Sequence, residues 1–113
     1  MKEIKAIFQP HMLSRVMDRL HRLPHFPGVT VSVCQGQGRG TGAGGSYVFD
    51  EFTIGTAVKT RLEIFCTDEA CDDLVAVIRA AAHTGNAGDG IIVVTDLARV
   101  VRIRTGEERN DAV

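Results

Sequence analysis

The sequence predicts an α+β domain whose elements follow one another in the order β-α-β-β-α-β. Two observations carry this prediction. Several segments alternate between apolar and polar residues, which is typical of half-buried strands, and two others repeat apolar residues at helical spacing. The chain has 113 residues, about the length of one domain, so a single domain over residues 1–113 is expected.

The N-terminal part of the chain predicts the first β-α-β unit. Residues 2–8 alternate in polarity and indicate a strand. Apolar residues then recur at helical spacing from Leu13 to Leu23, and Pro24 is expected to end this helix. Residues 29–34 alternate again and predict the second strand. These three elements are joined by short proline-containing connections.

The next two elements follow a long connection. Residues 58–66 alternate and predict the third strand. Thr67 or Asp68 is expected to cap the second helix, because a side-chain oxygen at this position accepts a backbone N–H of the first turn. Thr84 and Gly85 stop the helix.

A glycine-containing turn and one or two strands complete the pattern. Residues 88–90 form the sequence Gly-Asp-Gly and predict a tight turn into a fourth strand over 91–94, and a short final strand is expected at 100–103. This order is the split βαβ arrangement of a ferredoxin-like sandwich, with both helices on one face of an antiparallel sheet. The other face also carries apolar residues, so a symmetric oligomer is expected to cover it. They include Val29 or its neighbours, Ile7 and Phe65.

A glycine-rich stretch interrupts the domain. From Gly36 to Gly45, six of ten residues are glycine, a composition that has high backbone entropy and cannot build a core. The loop is expected to continue to about Ala57. A connection of this length inside a small domain usually serves a function.

Composition excludes several classes of function. The net charge is −1, from 13 basic and 14 acidic residues, so no overall basic field exists to hold nucleic acid. No apolar run approaches the length of a membrane span, and the N-terminus lacks a secretory signal. A cytoplasmic protein is therefore expected. Its cysteines (Cys34, Cys66 and Cys71) match neither a disulfide framework nor a metal knuckle and are expected to be reduced thiols.

Three local features favour an anionic ligand. Residues 36–39 place glycines and an arginine after a strand, although flexibility alone also explains such a loop. Residues 85–90 join a helix to a strand and are suited to a phosphate or a ribose, unless they are only a helix cap and a turn. Arg102 and Arg104 alternate, so a strand would place both guanidinium groups on one face, where they suit a polyphosphate or are simply solvated.

Taken together, these features resemble one family. The stretches 84–90 and 100–107 are similar to the C-terminal signature of the PII signal-transduction proteins, also called the nitrogen regulatory protein P-II family. Further stretches that fit the same family are 1–7, 29–31 and 36–39. The resemblance covers the chain except residues 40–57, and it identifies a divergent, PII-like member.

The resemblance implies a homotrimer of ferredoxin-like subunits that binds ATP or ADP in the clefts between neighbours. Residues 36–57 would be the flexible T-loop, which grips a protein target such as a membrane transporter or a metabolic enzyme, and nucleotide state would order or release it. Residues 107–113 would form a C-terminal tail. Such a protein is a regulator and not an enzyme, and it does not insert into a membrane.

The resemblance also assigns the nucleotide site. The implied binding residues are Ile7, Thr30, Gly36, Gly38, Arg39, Lys59, Ile64, Phe65, Gly88, Asp89, Gly90, Arg102 and Arg104. Thr30 and the backbone around Ile64 and Phe65 would hold the adenine, with Ile7 nearby. The remaining residues would approach the phosphates, some of them from a neighbouring subunit.

Several departures from the family pattern modify these expectations. Asn86 and Ile91 stand where the family usually has lysines, so terminal phosphate charge would be poorly offset, and we expect ADP or AMP to bind at least as tightly as ATP. Gly40 replaces a glutamine, which weakens the case for Mg²⁺ and for a response to 2-oxoglutarate. Residues 41–57 do not match the usual T-loop, and Tyr47 does not occupy its modification position.

Three other functions compete with this interpretation. The first alternative is a metal-responsive PII-like protein associated with a metal-efflux system, because four histidines accompany the cysteines. They are His11, His21, His25 and His83. Their spacing does not form a proper ligand set, so no metal residues are assigned. An enzyme is disfavoured because no nucleophile, base and orienting residue form a trio. A third alternative is an interaction protein without a ligand.

Overall fold

The computed structural model describes residues 1–36 and 58–113 of the chain. Within these residues, strands and α-helices follow the predicted β-α-β-β-α-β order. The elements are β1 (Lys2–Phe8), α1 (Leu13–His21), β2 (Thr30–Gln35), β3 (Val58–Cys66), α2 (Asp68–Ala82) and β4 (Gly90–Asp96). Two short 3₁₀ helices, Pro10–Met12 and Arg109–Ala112, precede α1 and end the chain.

The strands form one sheet in the order β2-β3-β1-β4, with every neighbouring pair antiparallel. Ile4 in the middle of β1 lies opposite Ile64 of β3 and Val94 of β4. Because β3 lies between the parallel strands β1 and β2, the topology is that of the split βαβ motif. The predicted ferredoxin-like α+β fold is confirmed.

The hydrophobic core lies between one face of the sheet and the two helices. Every second residue of β1 and β3 points into it, as the period of a strand requires. The helices contact each other, and α2 also contacts β1. The main buried residues are Ile4, Ala6, Phe8, Val16, Leu20, Leu62, Ile64, Leu74 and Ile78.

Neither α-helix packs on the opposite face of the sheet, and among the described residues much of this face is exposed. Ile7 lies on this face beside Arg61 and Ile91. Phe65 and Ile91 are 43% and 60% exposed, so an apolar surface remains open to a partner. Of the expected residues, Val29 itself precedes β2 and packs against the core, whereas its neighbour Thr30 lies opposite Glu63, on the same face as Phe65.

Local side-chain chemistry accounts for the helix ends. Thr67 is the N-cap of α2, and its Oγ1 accepts a hydrogen bond from the backbone N–H of Ala70 at 3.3 Å. Asp68 and Glu69 follow in the first turn, where a negative charge interacts favourably with the helix dipole. Helix α1 ends at His21, slightly before the proline that was expected to stop it.

The predicted strand at 100–103 is wrong. Only Val101 pairs, in an isolated bridge with Glu108. The N–H of Arg102 donates to the carbonyl of Glu107 at 2.9 Å, and the N–H of Gly106 donates to the carbonyl of Arg102 at 2.8 Å. Gly106 has a φ of +74°, which reverses the chain. The segment is therefore a closed loop, because these local hydrogen bonds replace strand pairing.

Gly90 sets the start of β4. Its φ is +115°, and a Cβ atom at this position would lie 1.9 Å from the carbonyl oxygen of Ile7. Only glycine permits so close an approach of two backbones. Gly90 therefore fixes where the loop from α2 joins the sheet.

Replacing Gly90 with alanine is expected to lower the free energy of unfolding by roughly 2–4 kcal/mol, because β1 and β4 must separate at this point. Urea unfolding followed by circular dichroism measures the change. Gly28→Ala is the matched control, since Gly28 has a φ of +99° but no atom within 4 Å of the added Cβ. It should cost about 1 kcal/mol. Equal losses in the two variants would show that the Ile7 contact is unimportant.

The three cysteines lie where the sequence predicted them, two in strands and one in a helix. Cys66 and Cys71 are buried, Cys34 is half-buried, and none forms a disulfide. Burial raises the pKa of the Cys66 thiol to about 11, and the neighbouring Cys71 adds to this effect. Because the thiolate is the reactive form, Cys66 should be inert in the folded protein.

Iodoacetamide is therefore expected to leave Cys66 unmodified in the native protein at neutral pH and to alkylate it rapidly in urea. Peptide mass spectrometry after timed quenching measures both rates. The unfolded chain serves as the internal reference for intrinsic reactivity. Native labelling of Cys66 at the unfolded rate would contradict the burial described above.

Candidate functional site

Six of the thirteen predicted site residues line two separate cavities. The first, of about 440 Å³, lies beside the end of α2 and the start of β4, and Ile7, Asp89 and Gly90 line it. The second, of about 150 Å³, lies beside the start of β2, and Thr30 and Phe65 are among its lining residues. The two cavities share no residue.

Asp89 organises the turn beside the first cavity. Its carboxylate accepts hydrogen bonds from the backbone N–H groups of Thr84 at 2.8 Å and Gly85 at 2.9 Å, and from the Thr84 hydroxyl. These donors, the hydroxyl foremost, hold the pKa of the Asp89 carboxyl below its usual value. His83 Nδ1 lies 3.6 Å from Asp89 Oδ2. The Asp89 carboxylate therefore stabilises the turn through hydrogen bonds.

Gln9 ties this turn to the end of β1. Its Nε2 donates to the carbonyl of Gly88 at 2.7 Å. A Cβ at Gly88 would lie 3.1 Å from the same nitrogen, and the φ of Gly88 is +91°. Sequence reasoning missed Gln9, because a single side chain bonded to a distant carbonyl leaves no periodic signal.

The second cavity is built on the β2–β3 pair. Thr30 lies opposite Glu63 in the register, and both line the cavity with Phe65 and Arg102. Glu63 was also missed, although its spacing of two residues from Phe65 places the two on one face of β3. Arg61 Nε lies 3.3 Å from Glu63 Oε1, so this carboxylate is partly neutralised.

Arg102 and Arg104 lie in the closed loop that replaces the expected strand. The inference that strand alternation places them on one face is therefore wrong. Both are exposed, and both line a shallow depression of about 660 Å³ that includes Phe65. Arg102 and Phe65 belong to this depression and to the second cavity, so the arginines border the same surface.

The remaining predicted residues occupy different positions. Ile64 is 1% exposed and packs in the core, which leaves only its backbone for a ligand. Lys59 lies in β3 opposite Cys34, and Gly36 directly follows β2. Gly38 and Arg39 lie outside the described residues.

Residues 1–36 and 58–113, the part of the chain that the structure describes, lack two further features. No group of three or more His, Cys, Asp or Glu residues in this part of the chain is arranged to hold a metal ion. None of its helices has the length and apolar character needed to cross a membrane.

Asp89→Asn tests the role of the turn carboxylate. Because the folded-state pKa is lowered, Asp89 stabilises the fold above the unfolded-state value of about 3.9, and this contribution is lost as the pH falls through the folded-state pKa. The variant should therefore be less stable than wild type at neutral pH, and the difference should vanish in acid. Thermal unfolding across this pH range measures it. Asp72→Asn, an exposed carboxylate of α2, should leave the profile unchanged; matching profiles for all three proteins would contradict the assignment.

Comparisons with known proteins agree on one family. The family model described as nitrogen regulatory protein P-II matches residues 1–107. The chain is 39% identical over 113 residues to "Nitrogen regulatory protein P-II" of Azospirillum brasilense and 41% identical to that of Pasteurella multocida, with all of each chain covered. It is 40% identical over the same length to "Nitrogen regulatory protein P-II 1" of Escherichia coli K12, again over both whole chains. The chain belongs to the nitrogen regulatory protein P-II family.

Proposed function

We propose that this signal-transduction regulator binds an adenine nucleotide in the clefts between subunits of a homotrimer and thereby controls a partner protein. The observation that carries the proposal is that six of the predicted site residues line two separate cavities at opposite parts of the sheet. The first cavity lies by β4 and the second by β2, and these are the two edge strands. A single chain therefore holds two half-sites.

A ring of identical subunits would join the two half-sites. In a head-to-tail contact, the first cavity of one subunit faces the second cavity of the next, and three such contacts close a trimer. The exposed apolar face of the sheet, with Phe65 and Ile91, supports this assembly because it gains burial in the same contacts.

The chemistry of each half-site suits a different part of a nucleotide. Thr30, Phe65 and the backbone of Ile64 would hold the adenine, with Ile7 of the other half-site nearby. The phosphates would lie between the Gly88–Gly90 turn of one subunit and the second subunit's arginines. The arginines in this role are Arg102 and Arg104, and Gly36, Gly38, Arg39 and Lys59 would approach from the base of the T-loop.

The turn favours nucleotides with few phosphates. Asn86 and Ile91 carry no positive charge, and the only charged side chain between them is Asp89. ADP or AMP is therefore proposed to bind at least as tightly as ATP, since the terminal phosphate of ATP would be the least compensated. No residue of this chain is proposed to coordinate Mg²⁺.

The partner contact is assigned to residues 36–57, the proposed T-loop, of which only Gly36 lies within the described residues. The target is proposed to be a membrane transporter or a metabolic enzyme, and the protein itself a cytoplasmic regulator without catalytic activity. A metal-responsive function is not proposed, because no observation in the described part of the chain favours it.

Nucleotide binding is tested first by thermal unfolding with AMP, ADP and ATP, and then by calorimetric titration. A ligand present at about 100 times its Kd stabilises the fold by roughly 2.7 kcal/mol, so a clear rise in Tm is expected with ADP and AMP. Arg102→Ala should weaken ADP binding about tenfold. Arg15→Ala, which removes an exposed charge from α1, should not.

Two results would contradict the proposal. The absence of a rise in Tm with any adenine nucleotide would contradict nucleotide binding. A monomer in light scattering would contradict a cleft shared between subunits. A clear preference for Mg-ATP that depends on 2-oxoglutarate would overturn the predicted nucleotide preference alone.

A further inference from the structure

The turn beside the first cavity lacks a cation of its own. Between Thr84 and Ile91, the one charged side chain is Asp89, and its carboxylate accepts three hydrogen bonds from Thr84 and Gly85. Within this turn, a phosphate would meet glycine backbone but no positive side chain. Positive charge in addition to that of the residues already proposed must therefore come from a neighbouring element of the same subunit.

Helix α2 supplies that charge. Arg79 and His83 lie four residues apart, about one helical turn, so their side chains occupy the same side of the helix end. Both line the cavity that Asp89, Gly90 and Ile91 also line. Among the described residues that line this cavity, Arg79 and His83 are the only basic ones.

The two basic side chains are available to a ligand. Arg79 is exposed, and within residues 1–36 and 58–113 it forms no ion pair. His83 Nδ1 lies 3.6 Å from Asp89 Oδ2, and its side chain is 63% exposed. The histidine ring is therefore held near the turn while much of it faces solvent.

The wall of the cavity beneath these groups is apolar. Phe8, Ile78 and Ile92 are among the residues that form it. The arrangement suits a ligand that brings a phosphate to the rim.

A structural role at the end of the helix is the competing explanation for Arg79. A basic residue in the last turn interacts favourably with the helix dipole. This effect would stabilise the fold whether or not a ligand is present, whereas a ligand contact would change affinity alone. The two explanations therefore predict different measurements.

We propose that Arg79, with His83 beside it, binds the α- and β-phosphates of the nucleotide at the Gly88–Gly90 turn, and that its guanidinium group replaces part of the positive charge that the turn lacks. This inference rests on the proposed nucleotide-binding function and adds two residues to that site. The guanidinium group presents a fork of N–H donors that matches phosphate oxygens. Its contribution should therefore be larger for ADP and ATP, which have a β-phosphate, than for AMP.

The test is calorimetric titration of AMP, ADP and ATP into the full-length protein and its variants at one ionic strength. Arg79→Ala is expected to weaken ADP and ATP binding about tenfold and AMP binding less, with an unchanged Tm in the absence of nucleotide. His83→Gln should produce a smaller loss in the same order. Arg15→Ala is the charge-matched control on α1, and Arg102→Ala reports on the second half-site.

The outcomes separate the two proposals. If Arg102→Ala weakens binding but Arg79→Ala and Arg15→Ala bind all three nucleotides like wild type, the inference about α2 is refuted and the proposed function stands. An equal loss for AMP, ADP and ATP in Arg79→Ala, or a lowered Tm without ligand, would assign Arg79 to the fold and also refute it. Absence of nucleotide binding by wild type would refute both.

Discussion

Strand β1 pairs along its whole length with β3 on one side and with β4 on the other, and this double pairing positions the rest of the molecule. Phe8, at the end of β1, lies opposite Thr60 and Gly90 at once. The close approach of Gly90 to the Ile7 carbonyl then fixes the loop that returns from α2. The turn, the end of the helix and the first cavity all follow from that register, because none of them is free to shift along the sheet.

The same pairing divides the sheet into a covered and an open face. Residues that alternate toward the helices form the core, and those that alternate away from it leave Phe65 and Ile91 partly exposed. The open face is therefore a consequence of a fold with two helices and four strands, since both helices pack on one side. Assembly with identical subunits would bury this face and so add to the small apolar area that a domain of this size buries alone.

Sequence periodicity was sufficient for β1, β3 and both helices, because each buries one regular face. The alternation of β2 and the apolar run of β4 also predicted strands, although neither strand contains a fully buried residue. It failed where local hydrogen bonds decide the structure. The alternation through Arg102 and Arg104 suggested a strand, but the Gly106 reversal and the backbone bonds around it form a loop instead. The sequence pattern did not predict Gln9 and Glu63 as site residues either. Their roles arise from contacts between elements, which a one-dimensional pattern does not contain.

The separation of the two cavities has a consequence for mixed assemblies. In the proposed ring, each cleft takes one half from each of two neighbouring subunits, since the cavities share no residue. A subunit damaged only at the Gly88–Gly90 turn and another damaged only at Arg102 would each form a homotrimer without an intact cleft. When the two kinds of subunit assemble together, one cleft in every hybrid ring regains two undamaged halves, so two inactive chains can restore binding in each other.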